Sequence, residues 1–451
     1  MTDRRLNWLE VACLLAATPF LLYPSLLSVP ALALLLIPWI LRWKARGAPT
    51  VRTPMDVPIL CLLLMVPVAV WASALPQESL RKLLGIILGV AYFYGIANTA
   101  HTKRSIWGWT SILVALGVGV SILSLVGTDW AYYKTLPLQS VYQRLPRLLH
   151  NVTTYGRGGF HPNEVGGTLA LVVPVALATC LAAWMGNPGL ATALNGRPAA
   201  GRWPLFDGLR RTGTVSRISA QVVVTLAFAL TAAVFLLTQS RSAYLGLAVG
   251  LIVFGMARSR WFLVVLLVLL VATSALVWQV GLEDLTGTLL QLESGRLAVG
   301  RLEIWRRAVS LMQDFPYTGV GLNMFPHVGD AMYPYPSVGL WARVPHAHNN
   351  LLQVGVDFGI PGLVAYVGML VVFALCAWKS HRLSKSRSLR LLTGGLFAGM
   401  LAHQVYGLTD AITLGAKPGF LLWVMWGLMA ALWRLEANQH PAPDRQAGSG
   451  A

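Results

Sequence analysis

Apolar runs separated by short polar and basic turns dominate the chain from Leu6 to Trp433. About 20 consecutive apolar residues cross the hydrocarbon layer as a helix, and shorter or tilted runs are tolerated. The pattern predicts 12 helical spans near residues 8–25, 27–42, 56–75, 83–99, 106–126, 164–186, 218–238, 242–257, 261–280, 355–378, 391–409 and 418–434. The first two share a turn near Pro24 to Pro30. The expected fold is an all-α polytopic integral membrane protein. Two inter-span segments, about 128–163 and 281–354, are too long for simple turns and should carry structure of their own. Within the second, Arg301 to Gln313 places Trp305, Ala308, Val309 and Met312 at helical spacing. That spacing predicts an amphipathic helix on the membrane surface, with Glu303 and Arg307 as an i,i+4 pair on its polar side. Arg306 and Arg307 are expected to meet headgroups or solvent. The chain thus divides into spans 1–9 (residues 1–280), a large loop (281–354), spans 10–12 (355–435) and a polar, disordered tail (436–451).

Composition agrees with this class. Of 451 residues, 56% are hydrophobic and 12% charged, against about 25% charged in a soluble domain. Met1-Thr2-Asp3-Arg4-Arg5 leads straight into an apolar stretch, read as a retained span rather than a cleaved signal. Cys13, Cys61, Cys180 and Cys376 all fall in predicted spans without a Cys-x-x-Cys spacing, which argues against disulfides and thiolate metal sites. The net charge is +18. Most of it follows the cytoplasmic bias of Lys and Arg, and no aromatic-basic interleaving points to nucleic acid. The short loops Arg42–Arg52 and Lys379–Arg390 fix the orientation, with both termini cytoplasmic.

Some basic residues fall on the other side: Arg81, Lys82, Lys134, Arg144, Arg147, Arg157, Arg241, Arg296, Arg301, Arg306, Arg307, Arg343 and Lys417. Positive charge there opposes the insertion bias, and most of it is arginine, whose planar fork suits phosphate. Arg241 lies in Thr238-Gln239-Ser240-Arg241-Ser242-Ala243-Tyr244-Leu245, a tight turn between spans. It is either a snorkelling arginine or an anion ligand, and charge at membrane depth favours the latter. Arg157 sits in Gly156-Arg157-Gly158-Gly159-Phe160-His161-Pro162-Asn163, where glycines permit close approach to an anion or simply make a re-entry turn. Arg301, four residues before Trp305, pairs with a ligand phosphate or with headgroups.

The candidate base is His348, in Val344-Pro345-His346-Ala347-His348-Asn349-Asn350. A histidine near its ordinary pKa of about 6.5 can take a proton from a hydroxyl. A structural histidine, an orienting histidine or a His346/His348 metal pair also fit the spacing; the last lacks a nearby carboxylate or cysteine cluster to complete it. Asn349 or Asn350 can cap the following helix, which Gly359-Ile360-Pro361-Gly362 should break. No Gly-x-Ser-x-Gly elbow supports a serine hydrolase. A base beside an anion-binding surface suggests group transfer from a phosphate-linked lipid.

The segments Thr238 to Leu245, Gly300-Arg301-Leu302-Glu303-Ile304-Trp305 and Asp314-Phe315-Pro316-Tyr317-Thr318-Gly319-Val320-Gly321 resemble the O-antigen ligase family in order and spacing. So does His348-Asn349, nine residues, then Gly359-Ile360-Pro361-Gly362, the most specific of the four. The resemblance covers about residues 150–375 by motif and the whole chain by topology. It implies a bacterial (Gram-negative) inner-membrane glycosyltransferase with a GT-C-like fold and a periplasmic active site. Such enzymes move a finished polysaccharide from undecaprenyl pyrophosphate to the lipid A–core oligosaccharide in lipopolysaccharide biosynthesis. It further implies His348 as catalytic base, and Arg241, Arg157 and Arg301 as pyrophosphate ligands. His346 and Asn349 are expected to contact substrate. The family needs neither metal nor cofactor, which fits the missing Asp-x-Asp motif. Direct displacement with inversion is the expected mechanism.

An O-antigen polymerase or an O-linking oligosaccharyltransferase shares the donor and differs in acceptor. A lipid-linked oligosaccharide flippase belongs to another class. It should line a passage with basic residues and often shows internal repeats, neither of which is apparent here. Trp130, Tyr132, Tyr133, Tyr155, Tyr333, Tyr335 and Trp341 in the outer segments either stack on sugars or form the interfacial aromatic belt. The belt is the reading favoured for most of them. Tyr333-Pro334-Tyr335-Pro336 is a candidate lid.

Overall fold

The computed structural model describes residues 3–23, 25–133, 138–149, 159–185, 217–259, 294–334, 344–412 and 414–439, with a few positions between 261 and 271. Its main helices are α1 (Asp3–Leu22), α2 (Ser28–Arg46), α3 (Asp56–Trp71), α4 (Pro76–Thr99), α5 (Lys103–Gly127), α6 (Pro162–Trp184) and α7 (Arg217–Leu237). They are followed by α8 (Arg241–Met256), α9 (Ser294–Asp314), α10 (Phe325–Met332), α11 (Asn350–Leu383), α12 (Arg387–Tyr406) and α13 (Phe420–Gln439). Among the described residues there is no β-strand, only an isolated bridge between Thr128 and Gly159. Among the described residues eight helices are long and apolar enough to cross a membrane, and α3 and α8 are shorter apolar helices. The chain is a multi-pass, all-α membrane protein. The predicted spans coincide with helices except for 261–280, which lies largely outside the described residues.

Side-chain contacts sort the helix ends into two groups. At one end, Arg46 pairs with Asp3 at 2.7 Å, and Arg434 donates to the Ala97 carbonyl at 2.8 Å. Buried Arg42 donates to Glu10 there, and Asn98 donates to the other Glu10 oxygen at 2.8 Å. An unpaired buried charge is costly, so this network ties α1 and α2 to α4. At the other end, Ser79 donates to the Leu322 carbonyl at 2.6 Å, and the Tyr142 hydroxyl donates to that of Leu237 at 2.8 Å. There too the Asn350 N–H donates to the Gly407 carbonyl at 2.7 Å. The second group holds the starts of α4, α6, α8, α11 and α13 and the ends of α3, α5, α7 and α12. Alternation of this kind is what successive crossings of one bilayer require.

Close backbone approach holds the middle together, as is usual where lipid offers helices no hydrophobic drive to associate. Gly246 and Gly250 of α8 face α12, and a Cβ on Gly250 would lie 2.5 Å from the Ala398 carbonyl oxygen. Helices α6 and α13 are enclosed, while α2 and α7 leave apolar side chains on the outside.

Three expectations are corrected. Helix α9 buries Ile304, Ala308 and Leu311, with Trp305 and Met312 partly covered, and Val309 is exposed. The apolar stripe is therefore rotated from the expected one. Arg307 is not on the polar side. It is 4% exposed, with Nη1 2.7 Å from Asp330 Oδ1 and Nε donating to the Tyr333 carbonyl at 2.7 Å. The last helix runs further than expected: α13 continues to Gln439, with Glu436 buried in its last turn.

Candidate active site

The histidine loop is held at the start of α11. Asn349 is the N-cap; its Oδ1 accepts from the N–H groups of Leu351 at 2.9 Å and Leu352 at 3.0 Å. These are donors the first turn would otherwise leave unsatisfied. Its Nδ2 donates to the Leu408 carbonyl at 3.0 Å. Both ends of the amide are thus taken by the protein, and the cap role explains Asn349 without a ligand. Asn350 is buried, accepts from the Ile412 N–H at 2.9 Å and lies 3.4 Å from His403 Nε2. Between the two histidines, the Ala347 N–H donates to Gln353 Oε1 at 2.7 Å. Gln353 in turn donates to Asp357 at 2.9 Å, and Lys82 of α4 lies 3.7 Å from that carboxylate.

The predicted helix break is real. Gly359 has φ +70°, dividing α11 in two. The Asp314 to Gly321 segment packs on the break: Ile360 N–H donates to the Pro316 carbonyl at 2.7 Å, and Val320 N–H to that of Val356 at 2.8 Å. Two of the recognised motifs are therefore two sides of one joint beneath the loop.

His348 adopts φ +46°, a left-handed conformation uncommon outside glycine. Its Nδ1 lies 3.2 Å from Asp410 Oδ1, in the turn after α12, with the histidine side chain 29% exposed and the aspartate 5%. Asp410 Oδ1 also accepts from the Ala411 N–H at 2.9 Å. Burial raises the carboxyl's proton affinity, but the hydrogen bonds from His348 and from the Ala411 N–H outweigh it, and its pKa falls to about 2. The carboxylate is therefore ionised at neutral pH. It fixes the His348 proton on Nδ1 and leaves Nε2 free to accept one.

His346 stands behind His348. Its Nδ1 accepts from the His348 N–H at 3.2 Å, and the two ring centroids are 4.2 Å apart. Burial, then repulsion from His348, lowers its pKa to about 3, so the ring is neutral. His346 thus holds the His348 loop through its backbone and its ring.

His346, His348 and Asp410 bring three ligand atoms within 4.8 Å of one another, a grouping that could hold a metal ion. The carboxylate missing from the local sequence comes from across the fold. In this arrangement His346 Nε2 and His348 Nδ1 lie 3.9 and 3.2 Å from Asp410 Oδ1, so the aspartate is the charged partner of both rings.

The arginines arrange themselves unequally. Arg301 is half-buried on α9, one turn before Trp305, whose indole N–H donates to the His348 carbonyl at 3.3 Å. Residues four apart share a helix face, so Arg301 lies on the face that meets the histidine loop. It interacts electrostatically with Tyr406, at the end of α12, as does Asp410. Arg241 is exposed at the first position of α8. Its turn packs on α6, where a Cβ on Gly166 would be 3.0 Å from Ser240 Cβ and Thr238 Oγ1. The next residue, Gly167, accepts at its carbonyl from His403 at 3.1 Å, which leads back to Asn350. Arg241 and His348 are thus on the same end of the bundle. Arg157 lies outside the described residues, as do Tyr155, Tyr335, Trp341 and Arg343. Two carboxylates at this end were not singled out from sequence, Asp410 and Glu164. Glu164, in the first turn of α6, interacts electrostatically with Asp410 and Lys417. Their signal was an acid at the mouth of an apolar span.

Residues 226–367 match a family model described as O-Antigen ligase. The matched segment runs from within α7 to the middle of α11 and contains Arg241, Arg301 and the histidine loop. It supports the O-antigen ligase resemblance and an activity of ligase or polymerase type on lipid-linked glycans. No match was found among curated proteins.

Proposed function

We propose that the protein is an O-antigen ligase that transfers a polysaccharide from undecaprenyl pyrophosphate to the lipid A–core oligosaccharide. In this reading the second end of the bundle faces the periplasm of a Gram-negative inner membrane and the fold is GT-C-like. The observation that carries it is His348, held by ionised Asp410 with Nε2 free, beside a helix face that presents Arg301. Nε2 takes the proton of an acceptor hydroxyl as that oxygen attacks the anomeric carbon. The bond from that carbon to the pyrophosphate oxygen breaks, and undecaprenyl pyrophosphate leaves with the bonding electrons. Direct attack inverts the anomeric centre. Arg301 and Arg241, with Arg157, stabilise charge on the departing pyrophosphate, where a fixed cation contributes most. Asp410 orients the ring and stabilises the imidazolium, as the carboxylate of a triad does. No metal or nucleotide takes part in any step.

A polymerase or an O-linking oligosaccharyltransferase would use the same residues with another acceptor. The decisive experiment supplies purified protein with the lipid-linked donor and lipid A–core, in the presence of a chelator. Glycan appearing on lipid A–core supports the ligase. Donor extension without acceptor labelling means polymerase. Donor crossing the bilayer of liposomes with no transfer means a flippase.

A further inference from the structure

Between α5 and α6 the chain makes one helical turn, Trp130–Tyr133. It is pinned from below. Trp130 is 2% exposed and stacks on Tyr142, with centroids 6.0 Å apart and ring planes at 11°. Asp129 Oδ1 accepts from the Tyr132 N–H at 3.0 Å, while its Oδ2 lies 3.2 Å from Arg147 Nη1. The two tyrosines are more open than Trp130, with Tyr133 half-buried. Tyr132 is 67% exposed and meets Tyr133 edge to face at 5.1 Å. Tyr133 meets the His161 ring at 4.9 Å. His161 caps α6 through Nδ1, which accepts from the Asn163 N–H at 3.2 Å.

This aromatic surface lies at the same end of the bundle as the candidate active site, at the start of α6. Tyr133 interacts electrostatically with Glu164, Arg147 and Asp129. Glu164 couples in the same way to Asp410, and His161 to His346. Rings of an interfacial belt need only an apolar body and a wet tip. Here three rings are set edge to face over a buried anchor and bordered by carboxylates and a guanidinium. A sugar ring fits such a surface: its C–H face packs on aromatic faces, and its hydroxyls donate to carboxylates and accept from arginine.

We propose that Tyr132, Tyr133 and His161 form a saccharide subsite, with Asp129, Arg147 and Glu164 as its polar border, that holds a sugar near the reacting bond. The inference rests on the reading above that both substrates carry glycans. The sugar belongs either to the donor polysaccharide or to the acceptor oligosaccharide.

The test uses the full-length protein in nanodiscs, comparing wild type with Tyr132→Ala/Tyr133→Ala and Tyr132→Phe/Tyr133→Phe. Saturation-transfer NMR with lipid-free donor repeat units and lipid-free core oligosaccharide reads binding without catalysis. Steady-state transfer reads KM for donor and acceptor separately. The alanine pair is expected to raise one KM by about tenfold, with kcat nearly unchanged, and to abolish saturation transfer from the same sugar. The phenylalanine pair, which keeps the rings, should behave as wild type and so excludes a folding defect. The substrate whose KM moves identifies the source. If both KM values and the saturation transfer are unaltered by the alanine pair, or if wild type binds neither sugar, the subsite does not exist. Tyrosine-dependent binding without any transfer would leave the subsite standing and remove the ligase reading.

Discussion

His348 Nδ1 and Asp410 Oδ1 lie 3.2 Å apart although the residues are 62 positions apart in sequence. The contact joins the loop before α11 to the turn after α12. Because Asp410 stays ionised, the histidine's tautomer is set by the fold, and the ring is only partly covered. The Asp410→Asn variant should fold, since an amide still accepts from the Ala411 N–H, but it can stabilise the wrong tautomer. Its kcat should fall by about two to four orders of magnitude, with binding of donor little changed. A binding and rate measurement on the same preparation checks the split.

Arg301 shares a helix face with Trp305, the residue that donates to the His348 carbonyl. Arg301→Ala should lower kcat by about 10²–10³-fold, the usual cost of one lost donor to developing negative charge. Arg301→Lys should recover only part, because an ammonium lacks the two-pronged fork. Arg306→Ala, on the exposed side of the same helix, should leave the rate near wild type. Equal losses at both positions in a transfer assay would remove Arg301 from the site.

The buried, neutral His346 makes stability depend on acid. Its folded pKa of about 3 lies below its ordinary value of 6.5. The unfolded chain therefore binds the extra proton between these values, and the folded state loses stability as pH falls from 6.5 toward 3. Asp410 adds to the loss as pH falls from its ordinary value of 3.8 through its folded pKa of about 2. Thermal unfolding in nanodiscs should show a fall in Tm below pH 6.5 that is shallower in His346→Gln. A slope unchanged by that substitution would show that His346 is not buried neutral.

Gly319 and Gly359 face one another across the joint under the histidine loop. Gly319 has φ +65°, and a Cβ there would meet the Val356 oxygen at 2.5 Å; one on Gly359 would meet the Pro316 oxygen at 2.8 Å. Gly319→Ala or Gly359→Ala should each cost more than about 1 kcal/mol and lower activity through the displaced loop. Alanine at Gly300, which has open space around it, should be silent. Unfolding curves on the three variants check the contrast.

The helices were legible because a bilayer demands long apolar runs, and the two groups of helix ends follow from the order of the spans. The histidine loop, its capping Asn349 and the break at Gly359 were legible because their chemistry is local: a short titratable run, a cap, a glycine-proline pair. What could not be read is whatever the fold brings from a distance. Asp410 looks like any loop acid until α12 sets it beside His348. Arg307 and Arg301 look alike by type, and only the fold shows that Arg307 is buried against Asp330 while Arg301 is half-buried on the face that carries Trp305. The stripe on α9 turned because its partners are α10 and α11, with Ile304 and Leu311 facing them, rather than a flat membrane surface.

In the proposed reaction His348, through Nε2, is the base for glycan transfer. Its most direct test is the single-turnover rate of glycan transfer from undecaprenyl pyrophosphate to lipid A–core, with a chelator present, for wild type, His348→Ala and His348→Ala with added imidazole. Transfer is expected from wild type, none from the variant at intact donor binding, and partial recovery with imidazole as pH rises through its own ionisation. Transfer by His348→Ala at the wild-type rate would contradict that role.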